Sequence, residues 1–398
     1  MDYSHLLDEA RALQEQLRNW RRQLHRYPEL SFQETKTAQF VGQHLDSLNI
    51  PYKTGVAKTG IVAVLEGSGS KTVGLRADMD ALPIQEENDS DFNSEYPGRM
   101  HACGHDAHTA MLLGAATLLK QKADKGELNG NIKLLFQPSE EDWDEQGKSG
   151  GRYMVEEGAL EGLDAVFGLH VEAALGVGQV STREGPMLAA VDDFELTLRG
   201  LGGHAAEPHL TTDVIALSGL VINAIHQIVS RRIDPMQHGL ITIGSIHGGQ
   251  ASNVIDSKVT MTGTIRSLSE ATRAKLQQEL GAACALVKAF GADYELKIQQ
   301  GYPVTSNHPE VTVQSIKALE SLLGRSQVKE APVQLGSEDF SFMAQVVPAC
   351  FVMLGVRNPS WSQDYPVHTS TFRIDEDALA IGTASLCALA LKSLEANS

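Results

Sequence analysis

Ile132-Lys133-Leu134-Leu135-Phe136 is a short apolar run closed by Gln137-Pro138-Ser139-Glu140-Glu141. A run of this length, punctuated by proline, reads as a buried strand that ends in two adjacent carboxylates. Working outward, Ile61-Val62-Ala63-Val64-Leu65, Thr72-Val73-Gly74-Leu75-Arg76 and Ala165-Val166-Phe167-Gly168-Leu169 have the same character and predict further strands. Between them the apolar spacing is helical. Residues 106–122 place Ala110, Met111, Leu112, Ala115, Ala116, Leu118 and Leu119 at helical intervals, and 149–157 predict a shorter helix. Residues 4–26 predict one helix through Leu6, Leu7, Ala10, Leu13, Leu17, Trp20 and Leu24. A second, 34–48, is ended by Asn49-Ile50-Pro51. Strands alternating with helices predict an α/β domain, a mostly parallel sheet sandwiched by helices.

The pattern changes near residue 187. Asp193-Phe194-Glu195-Leu196-Thr197-Leu198-Arg199-Gly200 alternates with period two, as a half-exposed strand does. A helix at 211–231, strands at 240–246 and 258–266, a helix at 269–290 and a strand at 294–298 follow. Residues 187–298 therefore predict an inserted ferredoxin-like α+β satellite domain with an exposed face or edge, suited to dimerisation or to acting as a lid. After 300 the α/β alternation returns with a helix at 311–323, a strand at 349–356 and a final helix at 375–395. The catalytic domain is thus expected from 1–186 together with 299–398.

The 398 residues exceed what one core organises, and 42% hydrophobic with 21% charged residues is an ordinary globular balance. A formal charge of −17 argues against nucleic acid or an anionic membrane as partner. No basic segment followed by an apolar run opens the sequence, and no apolar stretch long enough to span a bilayer is expected. Cys284, Cys350 and Cys387 lie among apolar neighbours and read as buried hydrophobes. The scattered cysteines form no disulfide framework, which predicts a cytoplasmic location.

Cys103 stands apart. Met100-His101-Ala102-Cys103-Gly104-His105-Asp106-Ala107-His108 crowds three histidines, a thiol and a carboxylate into one loop. In open α/β sheets, sites form outside the carboxyl ends of the strands, where Arg76-Ala77-Asp78, Glu140-Glu141 and His170 fall. Thiolate with imidazole suits zinc, or cobalt, nickel and manganese. Of the adjacent carboxylates Glu140 and Glu141, one could ligate metal while its neighbour takes a proton from water. The Pro-Cys-x-x-Cys part of the zinc-deaminase signature and the His-Glu-x-x-His zincin motif are both missing.

These pieces, read together, resemble the M20 metallopeptidase/aminoacylase family. The matching runs are Leu24–Phe32, Leu75–Pro83, Met100–Asp106, Phe136–Glu141, Gly168–His170, Gly202–His209, Gly336–Phe340 and Val367–Thr369. Within the family the chain is similar to the amidohydrolases of N-acyl amino acids, hippurate and auxin–amino acid conjugates. The resemblance implies two divalent metal ions per subunit. Cys103, His105, Glu141, His170 and His368 would be the ligands, Cys103 bridging, with Glu140 as general base and Asp78 holding a ligand from behind. It further implies that His204 stabilises the oxyanion, in cis or from a second subunit, and that Asn253 and Arg266 hold the substrate carboxylate. Other branches ligate metal with a histidine where this chain has Arg76, and His105 compensates. The implied reaction is hydrolysis of an N-acyl-L-amino acid to a carboxylic acid and a free amino acid. A dipeptidase or carboxypeptidase is the alternative, and a homodimer, or a tetramer, is the implied assembly.

Overall fold

The computed structural model describes residues 2–395. They divide into two compact units: Met1–Met187 with Ser306–Pro332 and Asp339–Ser398, and Leu188–Thr305 with Val333–Glu338. The second is larger than the expected 187–298 insert. It runs on to Thr305 and adds 333–338, which is held by Ala189, whose N–H donates to the Gly336 carbonyl at 2.7 Å, and by a parallel bridge between Leu188 and Gln334. No local pattern marks so short a strand-like contact, which depends on a partner far away in sequence.

In the first unit the strand order is Tyr52–Val56, Gly60–Leu65, Asn131–Gln137, Thr72–Asp78, Ala165–Gly176, Ala349–Arg357, Val180–Thr182 and Val328–Glu330. The four central strands run parallel, with antiparallel neighbours on both sides. Their interiors are almost wholly buried, which is why they read as continuous apolar runs. The helices His105–Asp124 and Ala378–Leu394 bury most of their length against this sheet and each other. The expected helix over 4–26 is two helices, Ser4–Ala12 and Gln14–Arg26, separated at Leu13. Leu6, Ala10 and Leu17 still reach the same core, so the periodicity survives the break.

The second unit has the strand order Gly239–Gly248, Lys258–Ser267, Ala190–Arg199, Asp293–Gln300, all antiparallel. With helices Val214–Arg232 and Glu270–Ala285 this is the ferredoxin-like arrangement. Its core is separate from that of the first unit and joins Phe194, Leu196, Leu198, Val221, Ile225, Leu276 and Leu280. Helix Val214–Arg232 is, by length and composition alone, apolar enough to cross a bilayer, contrary to the expectation from the sequence. It lays Val214, Val221, Ile225 and Ile228 into the core of its own unit, as a helix of a globular domain does.

One backbone position ties the parallel sheet to the loop that precedes the long helix. Gly104 caps the N-terminus of His105–Asp124 with φ +92°, and a Cβ there would lie 2.5 Å from Val171 Cγ2. Only glycine meets both demands. Gly104→Ala should lower stability by about 2–5 kcal/mol, the sum of left-handed strain and overpacking. The denaturation midpoint followed by circular dichroism checks this, and an unchanged midpoint would show that the loop relaxes freely.

Candidate metal centre

The register of the parallel strands brings distant residues to one edge. Asp78 pairs with Gln137 across neighbouring strands, and Arg76 pairs with Gly168 on the other side. The Ser139–Glu141 turn follows Gln137 at the carboxyl end of its strand, whereas His170, expected at a strand end, lies inside Ala165–Gly176, paired with Met353. Cys103 and His105 arrive from the loop and first turn of the long helix. His368 comes from a loop far along the chain, with φ +62°, and its N–H donates to the Ala102 carbonyl at 2.8 Å.

Cys103 is the hub. Its Sγ lies 3.4 Å from His170 Nε2 and 3.3 Å from His368 Nε2. His368 Nε2 is also 3.2 Å from Glu141 Oε1, and His105 Nε2 is 3.8 Å from that same oxygen. The ligand atoms of Cys103, His105 and His170 lie within 4.8 Å of one another, as do those of Cys103, Glu141 and His368. A third such group is His105 with Glu140 and Glu141. Hydrogen bonds settle which ring nitrogens face inward. His170 Nδ1 bonds the Val171 carbonyl at 2.7 Å, and His105 Nδ1 bonds Asp80 Oδ1 at 3.2 Å. Both Nε2 lone pairs are thereby left for the centre.

The charges explain what the site can hold. Burial alone would depress His105, but Asp78, Asp80 and Glu141 around it push it up to about 10. Burial and the same kind of neighbours, Glu141, Glu140 and Asp78, push the Cys103 thiol well above its usual value. The pocket thus calls for positive charge. His105 Nε2 is buried without a hydrogen-bond partner, and Glu141 Oε1 faces the His368 and His105 rings. An unpartnered imidazole nitrogen, a thiol and surplus carboxylates fit a divalent transition-metal ion, which would take the place of the proton on His105 and keep the thiol ionised.

Behind the centre stands a buried network that composition did not reveal. Arg76 donates to Asp78 Oδ2 at 2.7 Å, to Asp339 Oδ1 at 3.0 Å and to Gln137 Oε1 at 2.9 Å. Burial works against ionising Asp78, yet Arg76, His105 and His108 hold its carboxyl well below the usual range. His108 Nδ1 donates to Asp78 Oδ1 at 2.6 Å, and its Nε2 accepts from the Val171 N–H at 2.9 Å. His108 therefore links Asp78 to the residue next to His170, with both nitrogens already engaged. Asp339, whose N–H reaches Glu140 Oε1 at 3.3 Å, also accepts from Gln137, Ser149 and Gly151. Asp80 and Asp339 lay inside the motifs read from the sequence, but nothing in their spacing distinguished a supporting carboxylate from a ligand.

Three residues singled out in the sequence lie in the second unit. His204 and Asn253 are neighbours there: the two-stranded ribbon pairs His204 with Val254, and the Ala205 N–H donates to the Asn253 carbonyl at 3.1 Å. Both are exposed. Arg266 is half-buried near the opposite end of strand Lys258–Ser267 and donates to Ser337 Oγ at 3.0 Å. Eight residues of extended strand separate it from Lys258, roughly 27 Å at 3.4 Å per residue.

The model of peptidase family M20/M25/M40 matches residues 74–392. The chain is 41% identical over 394 residues to thermostable carboxypeptidase 1 of Saccharolobus solfataricus, covering 97% of this chain and 98% of that one. It is 38% identical to IAA-amino acid hydrolase ILR1-like 5 of Arabidopsis thaliana, covering 94% and 86%. Among solved structures, a dinuclear metal-binding peptidase of the M20 family from Bacillus subtilis, the YXEP protein, superposes with a TM-score of 0.82 at 31% identity, covering 96% and 99%. The chain belongs to peptidase family M20/M25/M40 and is a hydrolase of that family.

Proposed function

We propose that this hydrolase cleaves the amide bond of N-acyl-L-amino acids, releasing a carboxylic acid and a free amino acid. The observation that carries the reading is the Cys103 thiol in contact with both His170 and His368, beside the carboxylate pair Glu140 and Glu141. Cys103, His105, Glu141, His170 and His368 would hold two divalent ions, zinc in the first place with manganese, cobalt or nickel as substitutes. When bound, such ions polarise the amide carbonyl and acidify a water molecule.

The side chains do the rest. Glu140, 6% exposed, takes a proton from the attacking water and delivers it to the leaving nitrogen. The carbon–nitrogen bond breaks and the amine departs neutral. His204 donates to the oxyanion, and Asn253 and Arg266 hold the α-carboxylate. Because His204 and Asn253 lie at a ribbon beside the Lys258 end of strand Lys258–Ser267 and Arg266 near its other end, one copy does not bring all three to one small substrate. That separation supports a homodimer in which His204 and Asn253 of one copy serve the centre of the other. The exposed edge strand Gly239–Gly248 and the exposed Ile215, Leu220 and Val229 of the neighbouring helix support dimerisation through the second unit, with a tetramer as the larger assembly. A net charge of −17 speaks against nucleic acid or an anionic membrane as partner, which leaves the small-molecule substrate, and the four free cysteines support a cytoplasmic location.

The second reading, a carboxypeptidase or dipeptidase using the same centre, is favoured by the name of the Saccharolobus relative. N-acetyl and N-benzoyl amino acids assayed against dipeptides, with zinc, manganese and cobalt, separate the two. Faster release of amino acid from dipeptides would favour the second. Glu140→Ala should keep its metal and lose about 10²–10⁴-fold in kcat. Wild-type turnover by that variant would sink the mechanism. Cys103→Ser should lower bound metal on elemental analysis, and full occupancy after dialysis would remove Cys103 from the centre.

A further inference from the structure

The run Leu24–Phe32 has no part in the chemistry above, yet it leads directly to a buried acid beside the centre. Glu34 is fully buried. Its Oε1 accepts from the Ser139 N–H at 2.8 Å and from the Phe32 N–H at 3.0 Å, and its Oε2 accepts from Thr59 Oγ1 at 2.6 Å. Burial and the nearby Asp80 push this carboxyl up to about 7 against the pull of those donors. A buried acid kept at such a disadvantage calls for a reason beyond filling space.

Ser139 supplies one. It has φ +46°, in the left-handed region that a serine adopts only when its surroundings hold it there. This residue begins the turn that carries Glu140 and Glu141. The next anchor is also a carboxylate: the Glu141 N–H donates to Asp80 Oδ2 at 3.0 Å, and that oxygen accepts from Ser31 Oγ at 2.7 Å. The amides on both sides of Glu140 are thus tied to acids, and residues 31–34 engage both ties. The Ser139 hydroxyl, bonded to the Asp142 carbonyl at 2.8 Å, closes the turn from the far side.

We propose that Glu34 is a positioning residue, which fixes the left-handed Ser139 turn and through it aims Glu140 at the reacting atoms. The proposal rests on the reading of Glu140 as general base. Nothing in it requires Glu34 to touch substrate. Displacing a catalytic group by about 1 Å costs on the order of 10²-fold in rate, so a turn held at both amides is worth its strain.

Substitution tests it on the full-length, metal-loaded enzyme. In Glu34→Gln the amide oxygen can accept from both backbone N–H groups while its NH₂ donates to Thr59, so kcat should stay within about threefold of wild type. Glu34→Ala should lose about 100-fold in kcat with KM changed by less than about threefold. Glu34→Met keeps the volume, deletes the acceptors and is read in the same way if the alanine variant does not fold. Amide hydrogen exchange gives a readout independent of turnover: the Ser139 and Glu141 amides should lose protection in the alanine or methionine variant and keep it in the glutamine variant. Wild-type kcat or unchanged protection in Glu34→Ala or Glu34→Met overturns the proposal, as does an equal loss in Glu34→Gln. If wild type fails to hydrolyse amides, the functional reading falls, while the exchange data still judge Glu34.

Discussion

The centre depends on balancing acids that water cannot reach. Asp78, Asp80 and Asp339 are all buried, and Glu140 and Glu141 lie beside them. Carboxylates so placed repel one another and resist ionisation unless cations or donors face them. Arg76 is the fixed cation, 1% exposed, with its guanidinium spanning Asp78 and Asp339. It joins the residue behind the metal-ligand side to the residue whose N–H reaches Glu140. Removing it would leave two uncompensated buried charges, which is more harmful than never having had the pair. What remains unbalanced lies on the open side, around His105 and Cys103, and there a divalent ion fits.

Geometry at this centre is set by backbone as much as by side chains. Gly104, Ser139 and His368 all have positive φ, and each adjoins or is a candidate ligand or base. Strained positions persist only where surrounding contacts over-determine them. Here those contacts are visible: Val171 packs against Gly104, Glu34 holds Ser139, and the Ala102 carbonyl holds His368. The histidine tautomers follow the same logic. Asp80 and the Val171 carbonyl engage the outer nitrogens of His105 and His170, so the inner nitrogens face the thiol and Glu141.

The second unit follows a different rule. Its sheet is antiparallel and its residues alternate between core and water, as in Asp293–Gln300. It carries His204 and Asn253 on a small exposed ribbon and Arg266 at the far end of a long strand. Such a layout suits a module that presents groups outward, whereas the first unit gathers groups inward.

Much of this was legible in the sequence. Period-two and period-3.6 patterns report burial directly, so both fold classes, the long helices and the long strands could be read from apolar spacing, whereas short pieces such as Val180–Thr182, Val328–Glu330 and Phe340–Ala344 could not. The dense Met100–His108 loop and the Glu140-Glu141 pair announced a centre, because few structural roles need those residues together. Family resemblance brought in His368 and His204, which no local pattern marks. Tertiary structure alone decided the rest. Whether a histidine offers its Nε2 to the centre, like His105, or spends both nitrogens on hydrogen bonds, like His108, depends on partners 25 to 63 residues away. That Glu34 supports Ser139, or that Arg76 bridges Asp78 to Asp339, depends on contacts across 105 and 263 residues. Sequence sets the chemistry each side chain can perform, since that is intrinsic to the residue. Which of those chemistries is used is a matter of neighbours, and neighbours exist only once the chain has folded.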